Sequence, residues 1–249
     1  MFTGRLIVQW CILCYIYSLN IGKGQQGIYD FHTHSCLSDG ALSPIELIRR
    51  ASQKGYHAIA ITDHVGLGSL ERLISEITRD CSLARKHWDI VAIPGVELTH
   101  LPPAAIGQAA KQAKEMGARV VVVHGESIVE PVEAGTNLAA VQSPDVDILA
   151  HPGLLSLEEA QAAAANRVFI EISARKGHCL TNGHVAQVAR MARAKLLLGS
   201  DAHDPEDLMT ESLAVAILRG CGLQESEVNQ VLAVHPRELL GKLKSAGFP

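Results

Sequence analysis

The sequence has little that would hold a polyanion. Its 22 Lys and Arg are outnumbered by 26 Asp and Glu, the net charge is −4, and no basic tract occurs. This argues against a protein retained mainly through nucleic-acid phosphates. Aromatic residues make up only 4%, too few for a stripe of stacking platforms along a single strand. The six cysteines (Cys11, Cys14, Cys36, Cys81, Cys179 and Cys221) show no disulfide-framework spacing, so a reducing, cytoplasmic setting is expected. Cys11 and Cys14 form an isolated C-x-x-C, a spacing that recurs by chance. A run long enough to span a membrane is also missing. Leu6 to Ile21 is mostly apolar, but Gln9 interrupts it and it falls short of the roughly 20 residues required. It resembles a signal-peptide core without an A-x-A cleavage site. Residues 1–27 are therefore read as an apolar extension, either upstream of the real start or packed on the main domain as an extra strand or helix. An interfacial anchor is the remaining reading, and no firm membrane partner is expected. Gly22 to Gly27 reads as a flexible joint.

What the sequence has is a globular composition, 47% apolar and 19% charged over 249 residues, enough for a large core. From Ile28 onward, short apolar runs alternate with longer helical patterns. Strands are expected over 28–32, 57–62, 90–93, 119–124, 147–150, 168–172 and 196–199. Helices are expected from Ser43, with Pro44 in the first turn and Glu46 at the capping-box position, and over 70–86, 103–116, 157–166, 184–194, 205–219 and 225–244. Continuous apolar strands alternating with helices imply a parallel sheet buried on both faces. The expected fold is α/β, a distorted (βα)7 TIM-like barrel in which 28–249 form one domain. An open doubly wound sheet is the alternative.

Nine side chains of metal-binding type recur along the chain, nearly all just after these apolar runs: His32, His34, Asp39, His64, Glu97, His124, His151, Asp201 and His203. Parallel strands in a ring deliver their C-terminal ends to one face, so the nine can converge there. Alternate residues of an extended chain point the same way, which lets His32 and His34 reach one ion and sets Asp201 and His203 on one side. Asp63 is a candidate acceptor for a ligating ring. Nitrogen and carboxylate donors without thiolate suit Zn, Mn or Fe. Each motif alone has a bland reading: Asp39-Gly40 as an ordinary turn, Glu97 as a rim ion pair, a lone His as a satisfied core residue. Their shared strand-end register favours function.

The segments DFHTHSCLSDG, AITDH, GVEL, VVVHGES, ILAHPG and SDAH resemble the signature of the PHP (polymerase and histidinol phosphatase) family, from about Ile28 to the C-terminus. The resemblance implies a distorted seven-stranded barrel with two or three divalent metal ions on its C-terminal face. Carried over by motif, His32, His34, Glu97 and Asp201 would hold a first ion. Glu97 would bridge to a second, held by His124 and His151. Asp39, His64 and His203 would hold a third. Many members have His where Asp39 stands, and Asp39 follows a variant resembling the phosphoesterase branch. That branch often inserts a domain after the glutamate, whereas only Leu98 to Val123 separate Glu97 from His124 here. The pattern is most similar to small proteins described as histidinol-phosphatase-like.

The implied function is a metal-dependent phosphatase that hydrolyses a phosphomonoester of a small metabolite through a metal-bridging hydroxide. The alternatives are a phosphodiesterase or short-oligonucleotide exonuclease on the same site, and a non-catalytic metal-binding module. The expected partner is a small phosphorylated substrate, with a short oligonucleotide as an option but no stable nucleic-acid binding. Beyond the metals, Glu171 to His178 follow the sixth strand. Arg175, with Lys176 beside it, is the candidate phosphate binder, His178 the candidate proton donor to the leaving group, and Glu171 a candidate to orient Arg175. The loop Glu126 to Asn137 is long enough to shape the pocket. His57, His87, His100, His184 and His235 lack the register and read as structural or surface residues.

Overall fold

A computed structural model describes residues 27–245, 247 and 248. The expected N-terminal extension, its C-x-x-C and most of the glycine joint lie outside the described residues. The strands are β1 (Tyr29–Asp30), β2 (Ala58–Ile61), β3 (His64–Val65), β4 (Val91–Leu98), β5 (Val120–His124), β6 (Ile148–Ala150), β7 (Phe169–Ser173) and β8 (Leu196–Gly199). They pair in parallel in the order β1-β2-β4-β5-β6-β7-β8, with β3 also on β4. The ends of this sheet meet. Asp201 N–H donates to His32 O at 2.9 Å, His34 N–H donates to Ala202 O at 2.8 Å, and Thr33 and Ala202 form a parallel bridge. The buried Asp30 carboxylate accepts Ser200 N–H at 3.1 Å across the same seam. The sheet is thus nearly closed into a barrel ringed by helices, as the alternation of patterns implies.

Side-chain alternation sorts the interior from the outer core. In β5, Val121 and Val123 pack outward with the helices, while Val120 and Val122 join an inner cluster with Phe31, Ala58, Ala60, Ile93, Ile148, Ala150, Phe169 and Leu197. Period-two geometry makes His124 the next inward residue. The same count sets Glu97 above Ile93, and Glu171 above Phe169. Leu239, Leu243 and Phe248 belong to the inner cluster too, so the final helix, His235–Ser245, plugs the end of the barrel away from the histidines. The surrounding helices are amphipathic. Leu70–His87 buries Leu70, Leu73, Ile74, Ile77, Cys81 and Ala84, the stripe expected of a 3.6-residue period.

Five details depart from the sequence expectations. The helix expected over 205–219 is a short turn at Pro205–Asp207 followed by a helix that starts at Glu211. β4 runs on through Pro94 and Gly95 to Leu98, because its neighbours are parallel and Arg119 N–H donates to Pro94 O at 2.7 Å. The two-residue β3 is additional; it pairs His64 directly with Glu97. Ser43 stands at the N-cap of helix Pro44–Gln53, but its side chain makes no cap bond. Glu46 accepts from Arg49 and Arg50 instead of reaching back. A short helix, Thr136–Gln142, takes over the end of the expected loop 126–137. Among the described residues, no helix is long and apolar enough to cross a membrane.

Asp147, just before β6, ties the plugged end together. Its buried carboxylate accepts Val121 N–H at 2.9 Å and pairs with Lys114 and with Lys242 of the final helix. Asp147→Ala should therefore lower stability by about 2–3 kcal/mol, because a buried amide and two ammonium groups lose their acceptor. Urea unfolding checks this; an unchanged midpoint would show that the carboxylate contributes nothing net.

Candidate metal centre

Side chains from the ends of the strands and the loops that follow meet in one basin. Ligand-type atoms cluster within 4.8 Å in four groups: His34, Asp39, His64 and His203; His124, His151 and His178; His32, Glu97 and His151; and His32, His34 and Asp201. All nine sequence candidates are present. His34 joins both the Asp201 and the Asp39 groups, and His178 joins the group of His124 and His151.

Local structure explains these placements. Register puts His64 beside Glu97, and His64 Nδ1 lies 2.7 Å from Glu97 Oε2. The contact is short, yet both Glu97 oxygens lack an aligned hydrogen-bond donor. His151 and Asp201 break strand geometry, with φ of 25° and 52°. That left-handed backbone is uncommon for side-chain-bearing residues and costs of order 1–3 kcal/mol. It turns the His151 ring to within 3.5 Å of Glu97 and Asp201 to within 3.3 Å of His34. Gly199 makes room for Glu171, since a Cβ at position 199 would lie 2.4 Å from Glu171 Oε2.

Ring orientation is set from outside the basin. His32 Nδ1 meets Glu171 Oε2 at 2.6 Å. His124 Nδ1–H donates to Gly125 O at 3.1 Å, and His203 Nδ1–H donates to Asp201 O at 3.0 Å. Each bond leaves Nε2 facing inward, as the outer partners of metal-bound histidines do. Two expectations are corrected here. Glu171 holds His32 and makes no recorded bond to Arg175. Asp63 does not orient a ligating ring; it accepts Ser35 N–H at 2.7 Å, Ser38 N–H at 3.1 Å and both serine hydroxyls, bracing the loop that carries Asp39.

Burial and charge oppose one another throughout the basin. Burial works against charge on His32, but the carboxylates of Glu171, Glu97 and Asp201 raise it well above a free imidazole. Burial lowers His34 to about 4. Burial works against charge on His64 as well, but Glu97 and Asp39 together raise it to about 9. Glu97, despite full burial, is held well below the usual carboxylate range by His32 and His64. Burial raises Asp30 to about 6.

Arg175 lies against the basin. Its Nη1–H donates to Asp201 O at 3.1 Å, and its guanidinium is 3.9 Å from Asp201 Oδ2 and from Asp207 Oδ2. Lys176, on the same loop, is exposed and makes no side-chain bond among the described residues. Two residues near the basin were not singled out as site candidates. Glu130, on the loop after β5, reaches within 3.6 Å of His124 Nε2 and 3.5 Å of His178 Nε2. His100 lies near His124, with ring centroids 5.7 Å apart and planes tilted by 35°. Only the length of the loop 126–137 pointed toward Glu130, and nothing in the local pattern pointed toward His100. His57, His184 and His235 are engaged elsewhere, on Tyr29, Leu155 O and Leu196 O respectively.

The family model of the PHP domain matches residues 30–123. A Methanocaldococcus jannaschii protein, the uncharacterized MJ1295, is 48% identical over 216 residues, covering 86% of this chain and 99% of its own. Ribonuclease P protein component 3 of Methanosarcina mazei is 29% identical, covering 88% of this chain and 91% of its own. An Escherichia coli K12 protein named probable phosphatase YcdX is 28% identical, covering 88% and 95%.

Gly199→Ala should cost about 1–3 kcal/mol through overpacking and push Glu171 off His32. Chemical denaturation together with a crystal structure of the variant checks both; an undisturbed 2.6 Å contact would show that the glycine is dispensable.

Proposed function

Because the chain belongs to the PHP family and is a metal-dependent hydrolase of the phosphoesterase type, we propose that it cleaves the phosphomonoester of a small metabolite of the histidinol-phosphate kind. The observation that carries this is a set of buried donor atoms with no hydrogen-bond partner: His32 Nε2, both nitrogens of His34, both oxygens of Glu97, His124 Nε2 and His151 Nδ1. Buried polar atoms ordinarily find partners. So many converging nitrogen and carboxylate donors fit divalent cations such as Zn, Mn or Fe. We assign His32, His34, Glu97 and Asp201 to one ion, Glu97, His124 and His151 to a second, and Asp39, His64 and His203 to a third, within one domain spanning 28–249.

Bound there, such ions supply the positive charge that acidifies water and neutralises a phosphoryl group. The protein's own groups do the rest. Glu171, Gly125 O and the Asp201 carbonyl hold His32, His124 and His203 in fixed tautomers. Asp63 keeps the Asp39 loop in place. Arg175 is anchored by one N–H and retains others for phosphate oxygens, with Lys176 as an exposed cation on the same loop. Positioning and charge stabilisation are most of what phosphoryl transfer requires.

A second reading, phosphodiester cleavage in a short oligonucleotide, is favoured by the relative named ribonuclease P protein component 3. The acidic balance and scarcity of aromatics weigh against it. A non-catalytic role would be signalled by lost donors, and all nine are present.

Metal-free protein should be inactive and regain hydrolysis of p-nitrophenyl phosphate, but not of the bis ester, with Mn or Zn. A panel of phosphomonoesters, nucleotides and oligonucleotides then identifies the substrate class. His124→Ala should remove activity from a folded protein. Arg175→Ala should lower kcat/KM roughly 10- to 100-fold, the worth of one charge-assisted hydrogen-bonding group. Activity indifferent to exhaustive chelation would end the metal reading, and preference for the bis ester would replace the monoesterase with the diesterase.

A further inference from the structure

His178 enters the basin in a way its sequence context does not reveal. Its ring is buried and stacks on His151, with centroids 4.1 Å apart and planes at 22°. It meets His124 edge-on at 6.0 Å. Nitrogens of all three rings lie within 4.8 Å of one another. The sequence suggests a proton donor at this position. The geometry points elsewhere, and we propose that His178 is a third imidazole donor to the ion held by His124 and His151. This rests on the metal-dependent reading of the basin and extends its donor set to ten residues.

Tautomers carry the argument. A carbonyl only accepts, so the bond from His124 Nδ1 to Gly125 O requires the proton on Nδ1. That leaves a buried lone pair on His124 Nε2 with no partner. His178 is held in the matching way, its Nδ1 lying 2.6 Å from Ser127 Oγ. With that hydroxyl as acceptor, the Nε2 lone pair of His178 also faces the basin. Two inward lone pairs beside a third imidazole repel one another unless a cation stands between them. Glu130 does not remove the need. It is half exposed, and its 3.5 Å and 3.6 Å approaches to the two Nε2 atoms are longer than a charge-assisted hydrogen bond. Glu97 Oε1, 3.5 Å from His151 Nε2, stands on the far side as the carboxylate link to the neighbouring group. Three imidazoles leave the ion's charge less neutralised than carboxylates would, the donor set typical of strongly acidifying zinc sites. Ser127 then acts as the outer partner that sets the ring's tautomer.

The test uses the full chain stripped of metal and titrated with Co2+ alone, read by visible absorption and by the number of ions retained after gel filtration. His178→Ala should lose one spectral component and weaken one class of ion at least about tenfold, with the other ions unchanged. His178→Asp, which restores a donor, should recover the lost ion in part. Ser127→Ala should weaken the same class by about 10- to 100-fold, the usual effect of removing an outer partner. Should His178→Ala fold poorly, His178→Gln preserves bulk and gives the same reading. Unchanged stoichiometry and affinity in His178→Ala or His178→Gln would overturn the proposal. So would intact ion content with lost turnover, which would make His178 the proton donor. If the His178-dependent spectrum is seen but no phosphomonoester is hydrolysed, the substrate reading falls and this one stands.

Discussion

Closure of the barrel and construction of the basin are the same event. The seam between the first and last strands is held by Asp201 N–H on His32 O and His34 N–H on Ala202 O. Three residues of that seam, His32, His34 and Asp201, are also donors in the basin. A slip of one residue at the seam would turn each side chain to the opposite face. It would strip three of the four groups of members while breaking the closing hydrogen bonds. Asp30 reinforces the arrangement from below, its buried carboxylate accepting Ser200 N–H. The fold therefore cannot close in its present register without assembling the site.

Fixing so many polar groups in an apolar interior has a cost, visible in three places. Glu97, His32 and His34 are buried with polar atoms that no hydrogen bond satisfies. His151 and Asp201 adopt left-handed backbone. Gly199 gives up its side chain so that Glu171 can reach His32. None of these features improves packing, and each alone would be selected against on stability grounds. They coincide at one end of the barrel, while the other end is filled by Phe169, Leu239, Leu243 and Phe248. Stability is thus supplied by one mouth and spent as strain and unsatisfied polarity at the other, the division expected of parallel barrels.

Much of this was legible in the sequence, and the limits have a physical pattern. Apolar runs ending in His or acid revealed seven of the eight strands and the convergent donors, because period-two geometry is a local rule. The helix Leu157–Asn166 was expected at its observed bounds, and the structure shows that its start is fixed locally, by a capping box of Ser156 and Glu159. What escaped depends on partners far apart in the chain. Asp63 serves serines 25 and 28 residues away, and Glu171 serves a ring 139 residues away. Neither residue's neighbours in sequence disclose that choice. Ser43 shows the converse. Its spacing to Glu46 fits a capping box, but two nearby arginines offered Glu46 a stronger charge-assisted partner.

The electrostatics around Arg175 bear on which ester is preferred. Its guanidinium already faces a carbonyl and two carboxylates, those of Asp201 and Asp207. An incoming phosphate must compete with these anions for the same cation. Near neutral pH a phosphomonoester is largely dianionic, whereas a diester carries a single negative charge. The dianion gains more from a partly countered guanidinium, and more again from any cations in the basin behind it. A diester would gain less there. Charge at Arg175 thus supports the proposed monoester reading independently of any relative's name.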